Sequence, residues 1–455
     1  VGAFTALGTR PKRTSMITPS STNQFEVNTE VSVSVGVVGA GYVGLTLAAC
    51  LAELGHRVLC VDSDRAKVEQ LNLGVVTIME PGLPELLLSN LESGRLRFLV
   101  GSAAAAVDAE IIFLCLPTPM SPTGEADTHL VLDAIRELAP LVAAETIIAN
   151  KSTVPIGFRN VALATIGRDD VYLVSNPEFL REGSSVSDFL HPDRIVVGAE
   201  STEVAQRFLR LYETIDAPVV ITDPVTAETI KYGANAMLAA RLSFINSLAR
   251  LCEVVDADID DVLNGIRLDH RIGSDLMRPG PGWGGSCFPK DATALLQTSR
   301  QAGFDFPLLA QIIDSNLAQI DHVANRIEQA AGAATSGANV AALGLTFKAG
   351  TDDLRSSPSL EVLNRLIERG ASVRAYDPTH PRLDVHRLTI NSDPYEICVG
   401  ADVLVVLTEW SEFAMLDFRR IFGLMASPNI VDTRNILDPI ALREIGFTYR
   451  GTGRN

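Results

Sequence analysis

The apolar positions of this chain fall into short runs separated by glycine and proline, and their period changes twice along its length. VSVGVVGAGYVGLTLAACLAELGHRVLCVDSD (33–64) reads strand, glycine turn, helix, strand. Its strands are valine-rich and apolar on both faces, as a buried parallel sheet requires. AEIIFLCLPTP (109–119), ETIIANKSTVPIG (145–157) and VYLVSNPEFLREG (171–183) each read as a strand running into a polar or proline-marked loop. This alternation predicts a doubly wound α/β domain over 31–222.

From Pro224 the pattern becomes helical. TAETIKYGANAMLAARLSFINSLARLCEVV (226–255) keeps helical periodicity without a proline, which predicts a long central helix opening a helical middle domain over 223–328. AAGAATSGA (330–338) is small and polar, the composition of a linker. A second α/β unit follows over 337–450, with strands in NVAALGLTF (339–347), SVRAYDP (372–378) and ADVLVVLTEW (401–410) and a helix near 358–369. Residues 1–30 are polar, rich in Ser and Thr and without the apolar stretch of a signal peptide. They are expected to form a disordered leader or extension.

Composition narrows the partners. With 47% hydrophobic and 20% charged residues the chain is ordinary globular protein, and its net charge of −17 excludes the basic surface that nucleic acid or an anionic membrane would need. No apolar stretch reaches the roughly 18 residues that span a bilayer, so the cytoplasm is the expected compartment. The six cysteines and seven histidines lack paired or metal-binding spacing, and Cys50, Cys60 and Cys115 sit in apolar runs as core residues would.

GAGYVG (39–44) fits the GxGxxG pattern, after a strand and opening a helix. Gly39 permits the tight turn, Gly41 lets a pyrophosphate approach the backbone, and Gly44 lets helix pack on strand. Asp62 ends the next strand, eighteen residues past Gly44, where a carboxylate accepts from a ribose 2′-hydroxyl and repels a 2′-phosphate. The cofactor indicated is NAD. The predicted fold class is therefore α/β: two Rossmann-like doubly wound domains joined by a helical middle domain with a long central helix. The second Rossmann-like unit keeps the strand-end position but replaces the glycine fingerprint with GLTFKAGTDDLRSSPS.

Other residues mark the chemistry. Thr118 and Thr153 follow strands at the edge where cofactors bind. Glu178 and Glu182 are four apart and share a face if their segment turns helically. Lys231 and Asn235 are four apart on the long helix, amid small apolar residues that are an odd setting for an ammonium without a partner. Cys287, in GWGGSCFPKD (282–291), is bracketed by glycines and by Lys290 and Asp291. Nearby positive charge favours a thiolate, and glycines let a ligand come close. NAD alone suits a single hydride transfer. With a nucleophilic cysteine, an aldehyde can become a thiohemiacetal, lose a second hydride to give a thioester, and leave as an acid. An ammonium such as Lys231, with Asn235 as donor, would stabilise the oxyanions.

GAGYVG, PTP…GEAD, STVPIG, NPEFLREG, KYGAN, GWGGSCFPKD and GLTFKAGTDDLRSSPS occur in an order that resembles the UDP-glucose/GDP-mannose dehydrogenase family over about 33–440. Residues 176–198 most resemble the UDP-glucose-oxidising branch. The resemblance implies four-electron oxidation of a nucleotide sugar at C6 with two NAD. It implies Cys287 as nucleophile, Lys231 and Asn235 as the oxyanion pair, Asp291 as organiser of the catalytic water, Thr153 beside that water, and Glu178 as acid/base. Glu182 would lie nearer the nicotinamide; which of the two glutamates handles protons stays open. Cofactor contacts would be Gly39, Gly41, Tyr42, Val43, Gly44, Asp62, Lys67, Thr118, Thr153 and Arg355. The UDP-sugar would meet Glu178, Phe179, Leu180, Arg278 through Gly284, Phe347, Lys348 and Arg434. Arg271 would reach the neighbouring site of a homodimer or larger homo-oligomer. Met120 departs from the family's usual hydroxyl residue. GDP-mannose or a UDP-N-acetylhexosamine remains an alternative substrate. A two-electron hydroxyacid dehydrogenase and an inactive sugar-binding regulator are rival readings.

Overall fold

The computed structural model describes residues 15–17, 32–332, 337–381 and 387–454. Except for the backbone of Ser15–Ile17, the expected leader lies outside the described residues, as do 333–336 of the expected linker. The described residues form two compact units, one of those up to 119 with 127–231 and one of 120–126 with those from 232 onward.

The first unit is built on a nine-stranded sheet. Its strands are β1 (Ser15–Ile17), β2 (Ser34–Val38), β3 (Arg57–Asp62), β4 (Leu96–Val100), β5 (Ile111–Leu114), β6 (Ile147–Asn150), β7 (Tyr172–Ser175), β8 (Ile195–Gly198) and β9 (Val219–Thr222). They lie in the order β1-β9-β8-β7-β6-β5-β2-β3-β4. From β4 across to β7 the pairing is parallel, and β8 joins β7 antiparallel. Successive residues feed opposite faces: Val35, Val37, Ile111 and Phe113 enter one core, and Val38, Ile112, Leu114 and Ile148 the other. That two-sided burial explains why the strands read as continuous apolar runs rather than alternating ones.

The second unit carries six parallel strands, β10 (Asn339–Leu343), β11 (Ser372–Tyr376), β12 (Leu388–Ile390), β13 (Val403–Val406), β14 (Asn429–Asp432) and β15 (Thr448–Gly451), in the order β12-β11-β10-β13-β14-β15. Counted from its own first strand this is 3-2-1-4-5-6. Strands β2 to β7 repeat that order in the first unit. Both sheets thus reverse direction beside their first strand, where ligands of such folds bind, and the predicted repeat is real at the level of topology. Helices Ile259–Ile266, Phe288–Gln301 and Pro307–Ala331 belong to this unit. The predicted central helix spans Pro224–Val255 and carries the chain from the first unit into the second. Among the described residues no helix is long and apolar enough to cross a membrane.

Candidate active site

In the first unit the fingerprint turn leaves β2 beside β5. Gly39 adopts φ +101, a left-handed backbone that favours glycine. A Cβ on Gly44 would stand 1.8 Å from the Gly39 carbonyl, so only glycine lets helix Tyr42–Glu53 start this close to the strand end. A Cβ on Gly41 would meet nothing within 4 Å, the open approach a pyrophosphate needs. Asp62 caps the turn: Oδ2 accepts from the Ala40 N–H at 2.9 Å and from Lys67 Nζ at 3.2 Å. Burial works against its charge, but the Asp64 and Ala40 amides and Lys67 outweigh it and hold the carboxyl below its ordinary range. A fixed carboxylate beside a glycine turn and a helix start fits NAD.

The ends of β5, β6 and β7 lie side by side in the same unit. Thr118, buried, donates to the Thr153 carbonyl at 2.8 Å, which ties together the two loops that carry these threonines. Glu178 and Lys231 are both buried and form an ion pair at 2.8 Å. The second oxygen of Glu178 accepts from the Leu180 N–H at 2.7 Å. Burial opposes its ionisation, yet Lys231, the Leu180 amide and Lys151 keep the carboxyl below the usual range. The partner that the sequence demanded for Lys231 is therefore a carboxylate 53 residues earlier. Phe179 lies against both cations, 5.4 Å from Lys231 Nζ and 3.5 Å from the Arg194 guanidinium, measured to its ring centroid.

The helical turn considered for 176–183 is not formed. The segment is irregular up to helix Ser185–Leu190, because the Glu178 carboxylate takes the Leu180 N–H locally. Glu178 is buried and Glu182 half-buried, so the two carboxylates sit in different environments.

In the second unit Cys287 is the N-cap of helix Phe288–Gln301, and its carbonyl accepts from the Asp291 N–H at 2.8 Å. It is half-buried, whereas Cys50, Cys60, Cys115, Cys252 and Cys398 are buried. Burial pushes the Cys50 and Cys115 thiols up to about 12, as expected of inert core cysteines. Asp291 is buried at the head of the same helix. One oxygen accepts from Asn235 Nδ2 at 2.6 Å and the other from Lys290 at 2.5 Å. Asn235 thus faces Asp291 within this unit, a pairing the motifs did not foretell.

The glycine loop before Cys287 is clamped by buried amides. Asn246 accepts from the Gly280 N–H at 2.9 Å, and Gln319 donates to the Gly280 carbonyl at 2.9 Å. Asn316 accepts from the Trp283 N–H at 2.8 Å and returns a donor to its carbonyl at 2.9 Å. A Cβ on Gly284 would stand 2.1 Å from the Ser356 carbonyl, and one on Gly285 2.9 Å from the Phe347 ring. The glycines therefore admit the chain's own 347–358 loop. These amides were missed as site residues, although Asn316 and Gln319 are three apart on the buried side of an otherwise apolar helix face.

Phe347 also accepts, through its carbonyl, from Arg434 at 3.1 Å; Arg434 further donates to the Leu407 carbonyl at 2.9 Å. Lys348 lies 5.7 Å from the Phe347 ring centroid. Arg355 is paired with Asp353 and Arg271 with Asp269, both arginines exposed. Arg278 and Met120 are exposed as well. Among the described residues no cluster of His, Cys, Asp and Glu can hold a metal.

Three family models match consecutive parts of the chain. The NAD binding domain of the UDP-glucose/GDP-mannose dehydrogenase family matches 33–216, the central domain 225–318 and the UDP binding domain 341–439. A UDP-glucose 6-dehydrogenase of Rhizobium meliloti is 41% identical over 439 residues, covering 93% of this chain and all of that one. A solved UDP-glucose dehydrogenase from the hyperthermophilic archaeon Pyrobaculum islandicum is 33% identical with a TM-score of 0.87, covering 95% of this chain and 100% of that chain. A UDP-N-acetylmannosamine dehydrogenase from Pyrococcus horikoshii is 26% identical with a TM-score of 0.82, covering 93% and 99%.

Proposed function

This chain belongs to the UDP-glucose/GDP-mannose dehydrogenase family of NAD-dependent oxidoreductases, and from that membership we propose that it oxidises the C6 alcohol of UDP-glucose to the carboxylate, giving UDP-glucuronate. The observation that carries the four-electron reading is Cys287. Among six cysteines it alone is half-exposed, at the head of a helix and at the end of a loop held rigid by Asn246, Asn316 and Gln319. UDP-glucose is favoured over an N-acetylated sugar because the relatives named for it are 41% and 33% identical, against 26% for the acetylated-sugar enzyme.

NAD, held by the 39–44 turn and Asp62, supplies the hydride acceptor for both oxidations. Lys231 steadies the C6 oxygen as its proton passes to solvent and the C6 hydride is lost, giving the aldehyde. The Cys287 thiolate adds to the C6 aldehyde, forming a C–S bond and a thiohemiacetal. Loss of its C6 hydride and hydroxyl proton gives the thioester, and water attacks the carbonyl, breaks the C–S bond and returns the thiolate. Glu178 takes the water's proton; Asn235 and Asp291 hold the oxyanion and water in place. The UDP moiety is assigned to Phe347, Lys348 and Arg434 at the second sheet.

Incubation with UDP-glucose and NAD is expected to yield two NADH per sugar and an acidic product. One NADH per sugar would sink the thioester route, and turnover of GDP-mannose in its place would move the chain to the alternative substrate.

The protein is further assigned as a homodimer or larger homo-oligomer with Arg271 directed at a neighbouring copy. In support, Met237, Phe244 and Leu251 recur every seven residues on the central helix and are 72%, 62% and 54% exposed, an apolar stripe that water disfavours. Phe244→Asp is expected to give monomers by sedimentation; a variant that still sediments with the wild type removes this interface. The cytoplasm is the assigned compartment, which fractionation of the producing cells tests.

A further inference from the structure

Only six of the 38 Lys and Arg residues are lysines: Lys12, Lys67, Lys151, Lys231, Lys290 and Lys348. Where arginine supplies most of the positive charge, each lysine calls for a reason. Lys12 lies outside the described residues. Lys67, Lys231 and Lys290 meet carboxylates at 3.2, 2.8 and 2.5 Å. Lys151 does not. It is buried directly after β6, and its Nζ donates at 2.8 Å to the side-chain oxygen of Asn176, an uncharged acceptor. Asn176 is satisfied without it, accepting from the Tyr212 hydroxyl at 3.2 Å and donating to the Val196 carbonyl at 2.8 Å.

A buried ammonium held by one amide destabilises a fold. Burial accordingly pushes Lys151 down to about 8; Cys115 and Glu178 oppose the fall and Lys231 adds to it. Packing alone gives no reason for this residue, since an unbranched apolar side chain would fill the same space. Lys151 and Asn176 leave the paired ends of β6 and β7, where Asn150 faces Ser175, and Glu178 follows Asn176 by two residues; the charged neighbours that feel the ammonium are Glu178 and Lys231. A positive charge here favours the Glu178 carboxylate.

We propose that Lys151 is a positioning residue of the oxidation, a second buried ammonium that keeps Glu178 an ionised proton acceptor. This rests on the reaction proposed above and acts through Glu178 rather than on the sugar. Within the first unit the other groups concerned are Cys115, kept neutral by burial, Tyr212, whose phenol burial also raises, and Arg194, which faces Glu178 and remains in any Lys151 variant.

Lys151→Met in the full chain tests this in three ways. Between the folded value of about 8 and the ordinary 10.5, unfolded wild type holds a proton that folded wild type has released, so wild-type stability rises with pH across that window. Lys151→Met is therefore expected to melt at or above the wild type at pH 7, with its advantage shrinking from pH 8 upward. A lower melting temperature at pH 7 would assign the lysine to packing and overturn the proposal. The second test is NMR on protein labelled at the glutamate δ-carbons, without substrate, with Glu178 assigned through Glu178→Gln. The Glu178 titration midpoint is expected to rise in Lys151→Met, and an unmoved midpoint overturns the proposal. Third, the acid limb of the kcat profile is expected to move up by about one pH unit, so that kcat at a given pH on that limb falls about tenfold and recovers as pH rises. A uniform loss on an unshifted profile also overturns it. Absence of turnover by the wild type would overturn the reaction instead, and the substrate-free titration would still decide the coupling.

Discussion

Cys287→Ala is expected to form no UDP-glucuronate, with acid production falling by about 10⁴-fold or more, the scale seen when a covalent nucleophile is removed. Alanine keeps the N-cap backbone of helix Phe288–Gln301, whose first bond runs from the Asp291 N–H to the carbonyl of residue 287 and uses no side-chain atom. The amide clamps on Gly280 and Trp283 are likewise untouched. Binding of NAD and UDP-glucose should persist, and so should melting behaviour. The alcohol-to-aldehyde step needs no thiol, so the variant is expected to stop at no more than one NADH per sugar. Rapid-quench product analysis alongside NADH absorbance checks this. Acid produced at the wild-type rate would refute the nucleophile assignment.

Lys231→Met is expected to lower kcat by roughly 10³-fold, because one charged donor to a developing oxyanion is worth about that much in a buried site. KM should change little, since the ammonium is asked to act on charge that appears only during reaction. A second consequence follows from burial. The wild-type Glu178 carboxyl lies below its ordinary range, so the pair stabilises the fold above that range and loses its effect as pH falls through the depressed value. Without Lys231 the carboxylate is left buried with Lys151 and the Leu180 amide as its remaining help. The variant should therefore melt below wild type at pH 7, with the gap closing as acid protonates Glu178. An unchanged kcat would remove Lys231 from the chemistry. An unchanged melting temperature would say that the 2.8 Å contact carries no net stability.

The fold was largely legible because its signals are local. Two-faced apolar strands, a glycine turn at 39–44 and a helical stretch without proline each declare themselves within a few residues, and the central helix begins two residues before the expected start. The positions at strand ends were legible for the same reason. What stayed hidden is pairing between side chains distant in sequence. Lys231 announced that it needed a partner, but nothing local named Glu178; Asp291 announced polarity at a helix start, but nothing named Asn235. Lys151 and Asn176 sit inside motifs read for their neighbours Thr153 and Glu178, and their roles depend on β6 lying beside β7. The helical turn weighed for Glu178 and Glu182 failed because spacing alone carries no information on a carboxylate that bonds its own backbone two residues on.

Gly453 and Arg454 reach far back along the sequence. The Gly453 N–H donates to Glu253 at 2.9 Å, and a Cβ there would stand 2.7 Å from Ile259; Arg454 reaches Asp260 at 2.8 Å. These contacts close loops of 200 and 194 residues. The first unit holds every strand of its sheet by Thr222. During synthesis on the ribosome it can therefore acquire its sheet while the second unit is still being made, whereas Glu253 and Asp260 must wait for residues added some two hundred codons later. The two halves thus share a topology but differ in timing: one can mature as it emerges, the other only once residues 453 and 454 have been made.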